Sequence, residues 1–259
     1  MKTVTIKNKT IKLYDSIDEM PIVNFQKYNK YLIIDAGLGS DMDSVDTHIV
    51  NIAKYINKND KSNAMQELQN LRQNLHLIVN SVSPRYMAFA SLIHSIDGKE
   101  LKDLSDNNLQ EIISELNEVP HGILIDTLEW LKKKLSNELE LYFPTEFESA
   151  KEKEAYNKLK ERTILQLQQI ADDVDNSQRI AEISEFLFDL HKPKTFVGKS
   201  SVEIKYDKQF ESACMLISQK TSMEAKKMTV LEFYNTITNI SKQAEAESKA
   251  LRKNSPKRT

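Results

Sequence analysis

The sequence predicts a mainly α-helical protein of multi-helix, bundle-like architecture with a small β-hairpin at its N-terminus. Three observations lead there. From Val23 onward, apolar residues recur at three- and four-residue intervals, the spacing of one helix face. Glycine and proline number only five and six in 259 residues, and the prolines fall mostly between the periodic stretches, where they punctuate helices. Only the first thirteen residues follow a different period: Val4, Ile6, Ile11 and Leu13 alternate with polar residues on either side of Lys7, Asn8 and Lys9, as a two-stranded hairpin would. An isolated hairpin is marginal in water, so this one must pack on the helical body or on a partner.

The helices follow in order. After Pro21, the residues Val23, Phe25, Tyr28, Tyr31, Leu32 and Ile34 predict a helix ending near Gly37-Leu38-Gly39. Ser40 or Asp41 can cap the next, whose stripe is Val45, Ile49, Ile52, Ala53 and Ile56. A polar break at 57–60 precedes a helix carrying Met65, Leu68, Leu71, Leu75, Ile78 and Val82, near a 3.5-residue repeat. Ser83-Pro84 then opens a short apolar helix through Met87, Phe89, Ala90, Leu92 and Ile93, which Asp97-Gly98 turns.

Ser105 reads as a cap before Leu109, Ile112, Ile113 and Leu116. Pro120 opens a helix with Ile123, Leu124, Leu128, Leu131, Leu135 and Leu139, ending near 142–144. A long helix over about 149–171 carries Tyr156, Leu159, Ile164, Leu167 and Ile170, and a shorter one carries Ile180, Ile183, Phe186, Leu187 and Leu190. Residues 191–203 combine proline, glycine and lysine without helical period and predict a flexible loop. A helix near 207–219 buries Phe210, Cys214 and Ile217. In the last helix Thr229 and Glu232 form a capping-box pattern, each side chain satisfying the other's free backbone N–H, ahead of Leu231, Tyr234, Ile237, Ile240 and Ala244. The end, 251–259, is polar and basic and is expected to fray. Two units are expected, 1–145 with the hairpin and 146–259 with the loop.

Composition narrows the function. The net charge of −2 sets up no overall field toward nucleic acid or a membrane. So few glycines, with neither a P-loop nor a GxGxxG pattern, argue against a phosphate-binding loop. No run approaches the ~18 apolar residues of a membrane span, and the start lacks the apolar run of a signal peptide. A single cysteine, Cys214, sits in an apolar run and reads as a buried, inert thiol in a reducing compartment.

Candidate chemistry is thin. Asp41, Asp43 and Asp46 resemble calcium ligands by density alone; they lack the glycine and terminal glutamate of an EF-hand, and acids in a helix's first turn complement its dipole. The acidic stretch Asp172-Asp173-Val174-Asp175 reads likewise as a helix terminus and turn rather than a metal site. His48, His76, His94, His121 and His191 show no ligand spacing, and no GxSxG elbow is present. No catalytic, cofactor-binding or metal-binding residue is assigned, and no cofactor. The basic end carries Lys242, Lys249, Arg252, Lys253, Lys257 and Arg258 but no aromatic residue for base stacking, so a solvated tail is the simpler reading. Phe25, Tyr28, Tyr31, Phe196, Phe233 and Tyr234 fit either the core or a contact surface for another subunit, since tyrosine suits both settings.

Two stretches carry a resemblance. Residues 13–41, from Leu13-Tyr14-Asp15 to Gly39-Ser40-Asp41, and residues 227–237, Lys227-Met228-Thr229-Val230-Leu231-Glu232-Phe233-Tyr234-Asn235-Thr236-Ile237, resemble helical proteins of tailed bacteriophages, especially those of Bacteroidetes-type hosts. The second also resembles the C-terminal helix of phage tail-assembly proteins. The resemblance implies a non-enzymatic virion structural or assembly protein: a tail-assembly chaperone, a connector or a tail component. Its partners would be other phage structural proteins or further copies of itself, and its location the virion or the host cytoplasm during assembly. The alternative is a helical regulatory or nucleic-acid-associated protein using the basic tail.

Overall fold

The structure is a computed structural model describing residues 1–6, 9–116, 121–144, 150–172, 174–190 and 192–254. The expected hairpin turn at Lys7-Asn8, the helix-opening Pro120, Asp173, His191 and the last five residues lie outside them.

The chain is mainly α, with ten α-helices among the described residues and a small antiparallel β element at the N-terminus. Strands β1 (Lys2–Ile6) and β2 (Lys9–Leu13) pair with Val4 opposite Ile11. The alternation puts Ile6, Ile11 and Leu13 inward, the last two fully buried. The sheet is larger than the sequence predicts. The short apolar helix α4 (Pro84–Ser91) ends before Ile93, and Ile93–Ile96 forms β3, paired with β2. Asp97 and Gly98, at φ of 48° and 80°, turn β3 into β4 (Lys99–Glu100). Positive φ at both loop positions is what a two-residue type I′ hairpin demands, and Asp-Gly is its preferred sequence. The Thr10 N–H donates to the Asp97 carboxylate at 2.7 Å, fastening the turn to β2.

Helix α1 (Ile22–Leu38) is the spine of the core. Gly39 ends it at φ 67°, and a Cβ there would collide with the Ser44 side chain. Asp41 caps α2 (Met42–Asn57) in a reciprocal box with Ser44, which settles the role of that aspartate in the acidic cluster. Asp60 caps α3 (Lys61–Val79). Helix α5 (Asp106–Leu116) starts at the expected Ser105 and buries all four expected apolar residues. Helix α6 (His121–Tyr142) buries Leu124, Leu128, Leu131, Leu135 and Leu139. Helices α7 (Ala150–Ala171) and α8 (Ser177–Leu190) form a hairpin. Ser201 caps α9 (Val202–Thr221), which begins five residues earlier than expected, and α10 (Val230–Asn254) starts after the Thr229–Glu232 box. Its helix continues into the basic end as far as Asn254.

One apolar core runs from Ile6 to Phe233 and crosses the expected boundary at 145. The reason is local. Backbone hydrogen bonds Ile22 N to Met228 O (2.9 Å), Val230 N to Met20 O (2.9 Å) and Leu231 N to Ile17 O (3.0 Å) stitch the approach to α1 onto the approach to α10. These satisfy backbone groups that burial would otherwise strand. The composition break at 145 is therefore not a break in the core. No described helix is long and apolar enough to cross a membrane.

Candidate functional site

Helices α2 and α3 form an antiparallel hairpin whose polarity is inverted relative to expectation. The residues they bury are largely polar: His48, Glu67, Asn70 and Asn74, with Val45, Tyr55 and Ala64. The residues they expose include most of the predicted apolar stripes. Ile49 is 51% exposed and Ile56 62% on α2; Met65, Leu68, Leu75 and Val79 on α3 range from 43% to 80%. Leu71, Ile78 and Val82, the other members of the predicted stripe, are half-buried, and Val79 joins the exposed residues from outside it.

The polar interior is a connected network. His48 Nδ1 lies 3.0 Å from Glu67 Oε1, and His48 Nε2 lies 2.9 Å from the Leu38 carbonyl oxygen at the end of α1. Glu67 also accepts from Asn51 at 3.0 Å and Asn70 at 3.3 Å. Asn74 donates to the same Leu38 carbonyl. Both ring nitrogens of His48 thus face acceptors, an arrangement satisfied fully only by the imidazolium. Burial works against a charge on His48, but the Glu67 carboxylate and the Leu38 carbonyl outweigh it and hold its pKa above the ordinary value. Burial likewise pushes Glu67 up, and the hydrogen bonds from His48, Asn51 and Asn70 reverse that and hold it below the usual carboxylate range. The pair is buried, each side chain 6% exposed, and both shifts favour its charged form.

An open cleft of about 460 Å³ borders the network, lined among others by Asp35, Arg85, Lys192 and Lys194. His48 presents no free nitrogen to it, since both ring nitrogens are taken up by Glu67 and the Leu38 carbonyl. Arg85 is held by Asp35 at 3.0 Å. What the arrangement does is join α1, α2 and α3 at one point.

Within the expected 191–203 loop, residues 192–201 are irregular and 202–203 already belong to α9, and the irregular part is clipped down. Asn70 donates to the Lys194 carbonyl at 3.1 Å, Thr195 Oγ1 donates to Gln66 at 3.0 Å, and Phe196 lies over Gly37 of α1. The six aromatic residues that fit either core or contact surface resolve toward the core. Phe25, Tyr28, Tyr31, Phe196 and Phe233 are 2–7% exposed, and Tyr234 is half-buried against Phe25 and Phe143. Five of the six lie in the core, and Tyr234 keeps part of its surface exposed. Tyr31 spends its hydroxyl on Asp106 at 2.7 Å.

The α2–α3 hairpin instead carries exposed apolar side chains. A sequence signal for it exists: His48, Asn51 and Tyr55, and Glu67, Asn70 and Asn74, repeat at helical spacing just as the apolar residues do. Each helix carries two stripes, and hydropathy alone assigns the wrong one to the interior. A similar outward face occurs on α7, where Tyr156, Leu167 and Ile170 are 60–83% exposed. Compared with known protein families, curated proteins and solved structures, the chain matches none.

Proposed function

We propose that this protein is a non-enzymatic assembly component that works by docking proteins on the outer face of the α2–α3 hairpin. The observation that carries this reading is the inverted polarity: large aliphatic side chains face solvent while His48, Glu67 and two asparagines share the interior with Val45, Tyr55 and Ala64. Monomers rarely leave contiguous apolar patches beyond a few hundred Å² uncovered unless something binds there. The buried network holds that polarity in place, because turning the helices to hide the aliphatic stripe would break the hydrogen bonds joining His48 to Glu67 and to the end of α1.

The resemblance of residues 13–41 and 227–237 to helical proteins of tailed phages is the support for a role in virion assembly, as a tail-assembly chaperone, connector or tail component. Both stretches lie in the stitched core around α1 and α10. They would supply the scaffold, and the α2–α3 face the contact. Mass spectrometry of purified virions, together with affinity capture of the full chain from infected cells, tests this. The expected result is a phage head or tail protein recovered with the wild-type chain and lost with Leu68→Glu/Leu75→Glu. Absence from virions combined with no captured phage protein would remove the proposal.

A further inference from the structure

We infer that the α2–α3 face binds a second copy of this chain, forming an antiparallel four-helix bundle about a two-fold axis parallel to the helices. The inference rests on the docking reading of that face and names its occupant.

The geometry starts from the facing pair, His48 and Glu67, which meet across the hairpin. Ile49 and Ile56 follow His48 by one and eight residues; Leu68 and Leu75 follow Glu67 by one and eight. At 3.6 residues per turn, each of these lies about 80–100° round its helix from the shared interface, in the same rotational sense. Met42 and Val79 fall close to the same line. In an antiparallel pair, equal rotation in the same sense brings both stripes to one side of the hairpin. The result is one surface of two adjacent rows: Met42, Ile49 and Ile56 beside Val79, Leu75, Leu68 and Met65. The α3 row, with Arg72 in its middle, has the alternating three- and four-residue steps of a coiled-coil seam.

Charge chooses the occupant. Asp46 and Arg72 are exposed on this surface, and neither makes an ion pair with a described residue. Asp46 lies two residues before His48, and Arg72 five after Glu67. Because the helices are antiparallel, both lie on the same side of that pair, at heights differing by about 4.5 Å at 1.5 Å per residue. A two-fold axis along the helices sets α2 of one copy over α3 of the other at unchanged height. Asp46 of each copy then meets Arg72 of the other, Ile49 meets Leu68, and Met42 meets Leu75. This is the self-complementary pattern an isologous interface needs. All neighbouring helices run antiparallel, as in an up-and-down bundle.

The area is sufficient. Helices of 16 and 19 residues span about 24–28 Å, and two rows at interhelical spacings near 10 Å cover about 500 Å² per copy. That totals about 1,000 Å², the lower edge for a specific interface.

Light scattering on the full chain across a concentration series tests this. The wild type should run at twice the chain mass. Leu68→Glu/Leu75→Glu should weaken self-association by at least about tenfold with the helical circular dichroism signal unchanged, since both side chains are exposed. Asp46→Arg and Arg72→Asp should each be monomeric alone. Mixed together they should form a heterodimer, and Asp46→Arg/Arg72→Asp in one chain should restore the homodimer. A wild type that stays monomeric throughout, or single variants that do not complement on mixing, would overturn the inference. If the monomeric wild type still captures a phage protein and loses it with Leu68→Glu/Leu75→Glu, the homodimer fails and the assembly reading stands. If neither self-association nor capture responds, both fail.

Discussion

Replacing Glu67 by leucine keeps roughly the same volume but removes the acceptor for the buried donors of His48 and Asn70 and the half-buried one of Asn51. Each stranded donor costs about 1–3 kcal/mol. The histidine can relieve part of this by giving up its proton, and removing one member of a buried ion pair costs about 3–5 kcal/mol in total. Set against about 5–15 kcal/mol for a whole domain, that is a large fraction. Urea unfolding followed by circular dichroism at pH 6, with linear extrapolation, measures it. Glu115→Ala is the control: it breaks the pair with Lys9, whose side chains are 61% and 37% exposed, and should change stability by under about 1 kcal/mol. The pH dependence carries the sign. His48 is raised on folding, so its contribution is complete below its ordinary value of 6.5 and is lost as pH climbs through the folded value. Glu67 is lowered, so its contribution is complete above 4.5 and is lost as pH falls through its folded value. The difference between wild type and Glu67→Leu should therefore be greatest between about pH 4.5 and 6.5 and shrink on both sides. A loss below about 1 kcal/mol at pH 6, or a difference that grows toward alkaline pH, would refute the ion-pair account.

Gly37→Ala separates helix propensity from packing. Propensity alone predicts a gain of about 1 kcal/mol, but the new methyl would enter the Phe196 ring, so a loss of about 1–3 kcal/mol is expected; a raised Tm would show that the loop yields freely. Thr229→Ala removes one half of the α10 cap and should cost about 1 kcal/mol, while Glu232→Ala should cost a comparable amount because it releases the Thr229 N–H. Equal stability to wild type in both would discount the box. Cys214 is buried and burial pushes its thiol pKa up, so a thiol reagent at neutral pH should modify it slowly until urea unfolds the chain; fast modification of the native protein would contradict that packing.

Most of the helices were legible because their signals are local. Asp41, Ser105, Thr229 and Glu232 act as caps within four residues of themselves, and the leucine line from Leu124 to Leu139 needs only its own period to become a buried face. The N-terminal alternation was equally readable, since a strand's two faces differ in sequence whatever lies beyond them. The second hairpin carried a local signal too, in Asp97-Gly98, but the apolar run through Ile93 reads equally as helix or strand, and the edge of β2 decided it.

Which stripe of α2 and α3 faces inward was beyond the sequence. Each helix offers an aliphatic stripe and a polar one at the same period, and hydropathy favours burying the first. The tertiary structure buries the second, because the Leu38 carbonyl at the end of α1, His48 and Glu67 can satisfy one another only when brought together from three helices. The same holds for the six aromatic residues: their chemistry suits core and surface alike, and only the packing of α1, α9, α10 and the loop at 192–201 sends them inside. Local propensity determined where the helices of this protein lie; long-range pairing of buried polar groups decided which of their faces the outside world meets.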